Sequence, residues 1–212
     1  MQDYPSYLVL RDLPRRIELL KDRISPCTVC PFHCGTDRFT THTGRCGMGY
    51  APKVSSWSIH HGEEPPISGD RGSGTIFLSG CGMRCAFCQN YPISQLRHGR
   101  EMSIEELSSC MLELQRKGAH NINFVTPTHF APQIVEALHI AAGRGLNLPV
   151  VYNSSGYDDV ETLRLLDGIV DIYLPDMKYS DDLAAKQYSQ APDYVSVNRR
   201  AIEEMYRQVG RL

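Results

Sequence analysis

Ser79-Gly80-Cys81-Gly82-Met83-Arg84-Cys85-Ala86-Phe87-Cys88-Gln89-Asn90 is the stretch whose reading decides the rest. A short, mostly apolar run, Thr75-Ile76-Phe77-Leu78, precedes it and reads as a buried strand. Three thiols then follow in a loop at C-x3-C-x2-C spacing. Three cysteines cannot all pair off as disulfides, and three thiolates do not close a four-coordinate zinc site. They can hold three irons of a [4Fe–4S] cube, because such clusters are built on grouped thiolates. The fourth iron then keeps an open position, as a catalytic metal needs. The alternative is part of a zinc or ferredoxin-type site whose fourth cysteine lies elsewhere in the chain.

A second group stands upstream: Cys27, Cys30, Cys34 and Cys46, spaced C-x2-C-x3-C-x11-C among Pro26, Pro31, Gly35, Gly44, Gly47 and Gly49. A loop-rich segment buries little apolar surface, so four thiolates on a metal would staple it. Zinc and a second Fe–S cluster both fit the spacing; four free buried thiols are the other reading. His33 is a bystander beside better ligands or a substitute for one of them. Before this group, residues 12–24 read as a packing helix, with Asp12 as N-cap and Leu13, Ile17, Leu20 and Ile24 on one face.

The chain has 212 residues, eight cysteines and a net charge of −2. That length suits one domain, or one domain and a small module. The balanced charge points to neither nucleic acid nor an anionic membrane. No apolar run is long enough to span a bilayer, and Met1-Gln2-Asp3-Tyr4-Pro5 opens no signal peptide. Clustered cysteines without an export signal are expected in the reducing cytoplasm, bound to metal.

Residues 53–74 read as a strand and an irregular connection. His60 and His61 point to opposite faces and make a poor metal pair, and Glu63 and Glu64 read as solvated acids. Beyond the cysteine loop the pattern alternates. Ser103 and Glu106 form a capping box before an apolar helix face that carries Cys110 as a small core residue. Strands follow at Ile122–Thr126, Pro149–Asn153 and Ile169–Leu174. Pro132 starts a helix, Asp158 and Glu161 cap the next, and a helix over about 193–208 closes the pattern. Four strand–helix units imply an α/β fold with a parallel sheet and right-handed crossovers.

C-x3-C-x-Phe-Cys after a first strand resembles the signature of the radical S-adenosylmethionine (SAM) superfamily. The resemblance implies a partial parallel (β/α) barrel with chemistry at the C-terminal ends of its strands. It implies a [4Fe–4S] cluster on Cys81, Cys85 and Cys88. SAM binds the unique iron and is cleaved by an electron from the cluster, releasing a 5′-deoxyadenosyl radical. Each loop after a strand then becomes a candidate segment. The Gly-Gly-Glu that holds the SAM amino group in many members is absent, and Thr126-Pro127-Thr128-His129 stands there instead. Thr126 and Thr128 can accept from an ammonium, while His129 caps the next helix or faces substrate. Asn153 and Ser154 are candidates for SAM's polar groups, or belong to an ordinary turn. Asp176 and Lys178 lie two apart and face one side of extended chain, as a zwitterion with ribose hydroxyls requires.

Asp176-Met-Lys178 at this strand end resembles the motif of glycyl-radical-enzyme activases such as the pyruvate formate-lyase activator. The cysteine-rich segment, Gly62-Glu-Glu-Pro-Pro-Ile-Ser-Gly69 and Cys88-Gln-Asn-Tyr91 resemble a pyruvate formate-lyase activating enzyme-like branch. That resemblance implies residues 1–73 as an N-terminal helix and Cys-rich metal-binding module, and residues 74–212 as the radical SAM core. It implies further strands beyond Leu212, so that the chain is a C-terminally shortened form. It also implies a glycine of a partner enzyme as hydrogen donor and a flavodoxin- or ferredoxin-type protein as electron donor. The competing reading is a non-catalytic Fe–S or zinc protein, an electron carrier or interaction module.

Overall fold

The computed structural model describes residues 5–40 and 44–210; the readings placed on Met1–Tyr4 and on Arg211-Leu212 lie outside them. After a 3-10 turn at Ser6–Leu8 comes α1 (Leu13–Asp22), shorter at both ends than the periodicity suggests. Leu13, Ile17 and Leu20 are its buried face. Asp12 stands at its N-cap position without a side-chain cap bond; its carboxylate accepts instead from Arg16 Nε at 2.9 Å. The cysteine-rich stretch follows as turns and loops. Then come β1 (Lys53–His60), the single turn α2 (Pro65–Ser68), β2 (Ser73–Leu78), α3 (Tyr91–Ser94), β3 (Arg100–Glu101) and α4 (Ile104–Arg116). The rest alternates: β4 (Ile122–Val125), α5 (Ala131–Gly143), β5 (Val150–Ser154), α6 (Val160–Leu165), β6 (Ile172–Pro175), α7 (Asp182–Ser189) and α8 (Tyr194–Val209).

The six strands form one sheet in the order β3-β1-β2-β4-β5-β6. β2, β4, β5 and β6 run parallel, with helices in the crossovers. This is the partial (β/α) barrel that the alternation implies. β1 pairs antiparallel with β2, and the two-residue β3 pairs antiparallel with β1. A two-residue strand such as β3 carries no periodic signal in sequence. Strand alternation sends Ile76, Leu78, Ile122, Phe124, Val150 and Tyr152 to the face packed on the helices, and all are buried. Each such side chain contributes roughly 1.5–3 kcal/mol relative to exposure. Leu13, Ile17 and Leu20 of α1 join the same apolar cluster. Among the described residues no helix is long and apolar enough to cross a membrane.

Local signals mostly hold. The Ser103 hydroxyl accepts from Glu106 N–H at 3.1 Å, and Ser103 N–H donates to Glu106 Oε2 at 2.7 Å, which completes the capping box. Cys110 is buried on α4. Three details differ. α6 is capped by Asp159, which accepts from Thr162 N–H at 3.0 Å, and not by Asp158. β6 begins at Ile172, and Ile169 and Val170 are buried in the connection that precedes it. α7 carries no periodic signal in sequence, because it presents only Ala185 and Ser189 inward, too few for an apolar stripe.

Candidate active site

A cavity of about 610 Å³ lies along the concave face of the sheet and reaches the C-terminal ends of the parallel strands. Small-molecule sites typically occupy roughly 300–1,000 Å³. Cys81, Cys85 and Cys88 all line it, and so do Thr126, Asn153, Asp176 and Lys178. Three loops and the end of β5 therefore bring the seven residues singled out by sequence to one wall.

The cysteine loop is held from two sides. Gln95 Nε2 donates to the Cys85 carbonyl at 2.8 Å, Ala86 N–H donates to the Tyr188 carbonyl at 2.7 Å, and Cys88 Sγ lies 3.1 Å from Ser94 Oγ. The cysteine-rich segment supports the other side. Arg45 Nε donates to the Gly82 carbonyl at 2.8 Å, and Arg84 donates to the Arg45 carbonyl at 3.2 Å. A Cβ on Gly80 would stand 2.7 Å from Met48 Cγ, and φ there is +83°, so glycine is required twice over. Burial pushes the Cys81 thiol up to about 11, with Cys85 adding to the rise; burial raises Cys85 too. Buried thiols of this kind ionise when a cation supplies the compensating charge.

Among the described residues no fourth cysteine lines the cavity. Among the described residues, no three Cys, His, Asp or Glu side chains converge as a single-ion site requires. A cube distributes its thiolates over separate irons, so its ligands stand further apart than those of one ion. Three thiols on one wall thus fit a group that takes three protein ligands and keeps a position open.

In the upstream group, Cys27 and Cys46 are buried, Cys30 is partly buried and Cys34 is exposed; all four are free thiols. Burial pushes the Cys30 thiol up, and Cys46, Cys27 and Cys34 are close enough to add to the rise. Cys30 and Cys81 share the lining of a small void of about 20 Å³. His33 is not turned to the thiols: its Nε2 is 2.9 Å from Asp159 Oδ2.

The rim loops show which of their polar groups are committed. Ser154 Oγ donates to Asp158 Oδ2 at 2.6 Å and accepts from Gly156 N–H at 3.0 Å. Thr128 donates to Asp158 Oδ1 at 2.7 Å. Those two hydroxyls serve the scaffold, which leaves Thr126 and Asn153 as the polar wall. Thr126 has φ +61°, a strained conformation for a β-branched residue and one found preferentially at functional sites. His129 neither caps a helix nor meets the cavity. It is buried, with Nε2 2.9 Å from the Ser79 carbonyl, so it ties the start of the cysteine loop to the loop after β4. Burial pushes its pKa down to about 3, with the charge of Arg38 adding to the shift. Arg38 is itself buried and donates to the carbonyls of Gly49 and His129, at 2.8 and 2.5 Å. Asp176 and Lys178 do face one side, and they pair with each other at 2.5 Å. From α8, Asn198 Nδ2 donates to the Asp176 carbonyl at 2.9 Å, and Tyr194 Oη donates to the Ser155 carbonyl and accepts from Lys178 N–H, both at 2.9 Å.

Sequence reasoning missed Asp158, Tyr194 and Asn198 as organisers of the rim. Their role depends on partners 16 to 42 positions away or on the adjoining strand β5, and no local pattern encodes that. Residues 75–208 match the family model described as the radical SAM superfamily. The chain belongs to the radical SAM superfamily. An uncharacterized protein of Methanocaldococcus jannaschii is 32% identical over 200 residues, which cover 89% of this chain and 56% of that protein. The chain thus spans a little over half the length of that relative. Radical SAM proteins typically bind a [4Fe–4S] cluster and SAM, and the radical SAM match takes in all three cysteines of the loop and every rim segment described above.

Proposed function

We propose that this protein is a radical SAM enzyme in which Cys81, Cys85 and Cys88 hold a [4Fe–4S] cluster with SAM at its free iron. When bound, cluster and SAM supply an electron and a 5′-deoxyadenosyl radical that abstracts a hydrogen atom. The protein's own residues bind and orient. Lys178 meets the carboxylate of SAM, and Asp176 accepts from its ammonium or ribose hydroxyls. Their mutual pair opens to admit the zwitterion, so each charge exchanges one partner for another. Asn153 and Thr126 add polar contacts from the neighbouring strand ends. Phe77 and Val125 supply apolar wall that limits water near the reacting atoms. The observation that carries this reading is that three thiols and four polar rim residues line one cavity.

The finer reading, a glycyl-radical-enzyme activase-like role in the cytoplasm, is supported by the Asp-x-Lys pair and the cysteine-rich motifs. On that reading the hydrogen donor is a backbone glycine of a partner enzyme, and a flavodoxin- or ferredoxin-type protein delivers the electron. Cys27, Cys30, Cys34 and Cys46 are proposed as a second thiolate site, for zinc or an Fe–S cluster, which closes when the exposed Cys34 draws in. The test is SAM cleavage by anaerobically reconstituted, reduced protein. Lys178→Ala should raise the SAM concentration needed for half-maximal cleavage about tenfold. Absence of cleavage in the unaltered protein, or zinc as its only metal, overturns the assignment.

A further inference from the structure

Arg45 brings a positive charge to the cysteine loop with no carboxylate to meet it. Its side chain is half-buried, and among the described residues neither Arg45 nor Arg84 forms an ion pair. Its hydrogen bonds go to neutral carbonyls: Nε donates to Gly82 at 2.8 Å, and a terminal nitrogen donates to Gln190 at 3.1 Å. Its Cζ stands 4.5 Å over the Phe32 ring. Burial lowers the pKa of Arg45 and the neighbouring charge of Arg84 adds to the fall, while the thiols of Cys30 and Cys81 oppose it. A cation withdrawn from water in this way calls for an anion nearby.

The fold places it there. Gly47 N–H donates to the Gly44 carbonyl at 2.9 Å, and that turn carries Arg45 next to the buried Cys46. Phe32, beneath the guanidinium, lines the small void together with Cys30, Cys81 and Gly82. A Cβ on Gly82 would stand 2.8 Å from that ring, so glycine lets the loop close on it. The cysteine-rich segment thus sets one charge against the flank of the loop. The loop's thiols supply the missing anion once they ligate metal, because a coordinated thiol is deprotonated. An added electron makes such a group more negative still, and a nearby cation stabilises it.

We propose that Arg45 is a positioning residue that holds a fixed positive charge against the Cys81 end of the loop and raises the reduction potential of a cluster bound there. The step it favours moves one electron from the external donor to the cluster; no bond forms or breaks. This rests on the reading that Cys81, Cys85 and Cys88 hold a [4Fe–4S] cluster, and it gives the cysteine-rich segment a task in the electron step. Arg84 is exposed, so water and salt screen its charge and it contributes less.

The test is a redox titration of the anaerobically reconstituted full chain without SAM, with the reduced cluster followed by electron paramagnetic resonance and folding by circular dichroism. The signal titrated is the one that disappears in Cys85→Ala. Arg45→Gln should lower the ratio of reduced to oxidised cluster about tenfold at fixed potential, which is 59 mV for one electron. Arg45→Lys keeps the charge and loses the fork, and should change the ratio less than threefold; so should Arg84→Gln. Should Arg45→Gln take up no cluster, Arg45→Met, which keeps the stem over Phe32, is titrated in its place. An unchanged potential in the uncharged variant, an equal fall in Arg45→Lys, or a larger fall in Arg84→Gln overturns the proposal alone. No iron–sulfur cluster in the unaltered protein overturns the cluster reading and this proposal with it.

Discussion

Acidification should loosen the anchor of the cysteine loop, and His129 sets by how much. Its imidazole is buried and donates through Nε2 to the Ser79 carbonyl, and burial beside the Arg38 charge, not that bond, keeps the ring neutral. Its pKa is depressed from 6.5 to about 3. In the unfolded chain the ring protonates below about pH 6.5, while the folded chain resists until about 3. The group's contribution is therefore complete above pH 6.5 and is lost as pH falls toward 3. Linkage gives a loss of about 2 kcal/mol between pH 7 and 5 and about 3 kcal/mol between pH 7 and 4. Glutamine can donate to the same carbonyl without titrating. His129→Gln should thus cost about 1–2 kcal/mol at pH 7 but flatten the acid limb by the amounts above. Urea unfolding at pH 7, 5 and 4 reads both, through the midpoint at constant slope. If the two proteins lose stability in parallel between pH 7 and 5, the histidine is not buried in the neutral form and the anchor is misassigned.

Three further outcomes follow from the same geometry. Asp158→Ala strands the hydroxyls of Thr128, Tyr152 and Ser154, which it accepts at 2.7, 3.1 and 2.6 Å, and should cost about 3–5 kcal/mol in urea unfolding. Thr126→Gly relieves the positive φ and should gain about 1 kcal/mol in thermal stability while weakening SAM binding in a filter or calorimetric assay. Gly80→Ala places a methyl 2.7 Å from Met48 at φ +83°, and should leave the fold intact by circular dichroism but reduce iron uptake on reconstitution.

Much of this protein is legible along the chain because its decisive signals are local. C-x3-C-x2-C after an apolar strand, the Ser103–Glu106 box and the helix start at Pro132 all act within a few residues. Asp158 and Asp159 show where local reading fails. Adjacent and chemically identical, they differ in that one faces Thr128, Tyr152 and Ser154 while the other meets the first turn of α6. α7 could have been found from Asp181, which caps it by accepting from Ala184 N–H at 2.8 Å, but its sparse apolar face masked it. Glu63 and Asn123 read as a surface acid and an ordinary strand residue. The fold of the β1–β2 connection leaves Glu63 half-buried on the cavity wall, while Asn123 is fully buried on β4. His129 looks in sequence like a cap or a substrate contact because nothing nearby reveals that Ser79 and Arg38 enclose it.

The most direct measurement of the central claim is iron and acid-labile sulfide per chain after anaerobic reconstitution, for the unaltered protein and for single alanine variants. A cube at Cys81, Cys85 and Cys88 requires each of these substitutions to remove about four irons and four sulfides. Cys110→Ala, buried on α4 away from the cavity, should remove none. Full iron and sulfide content in the Cys85→Ala protein would contradict the claim.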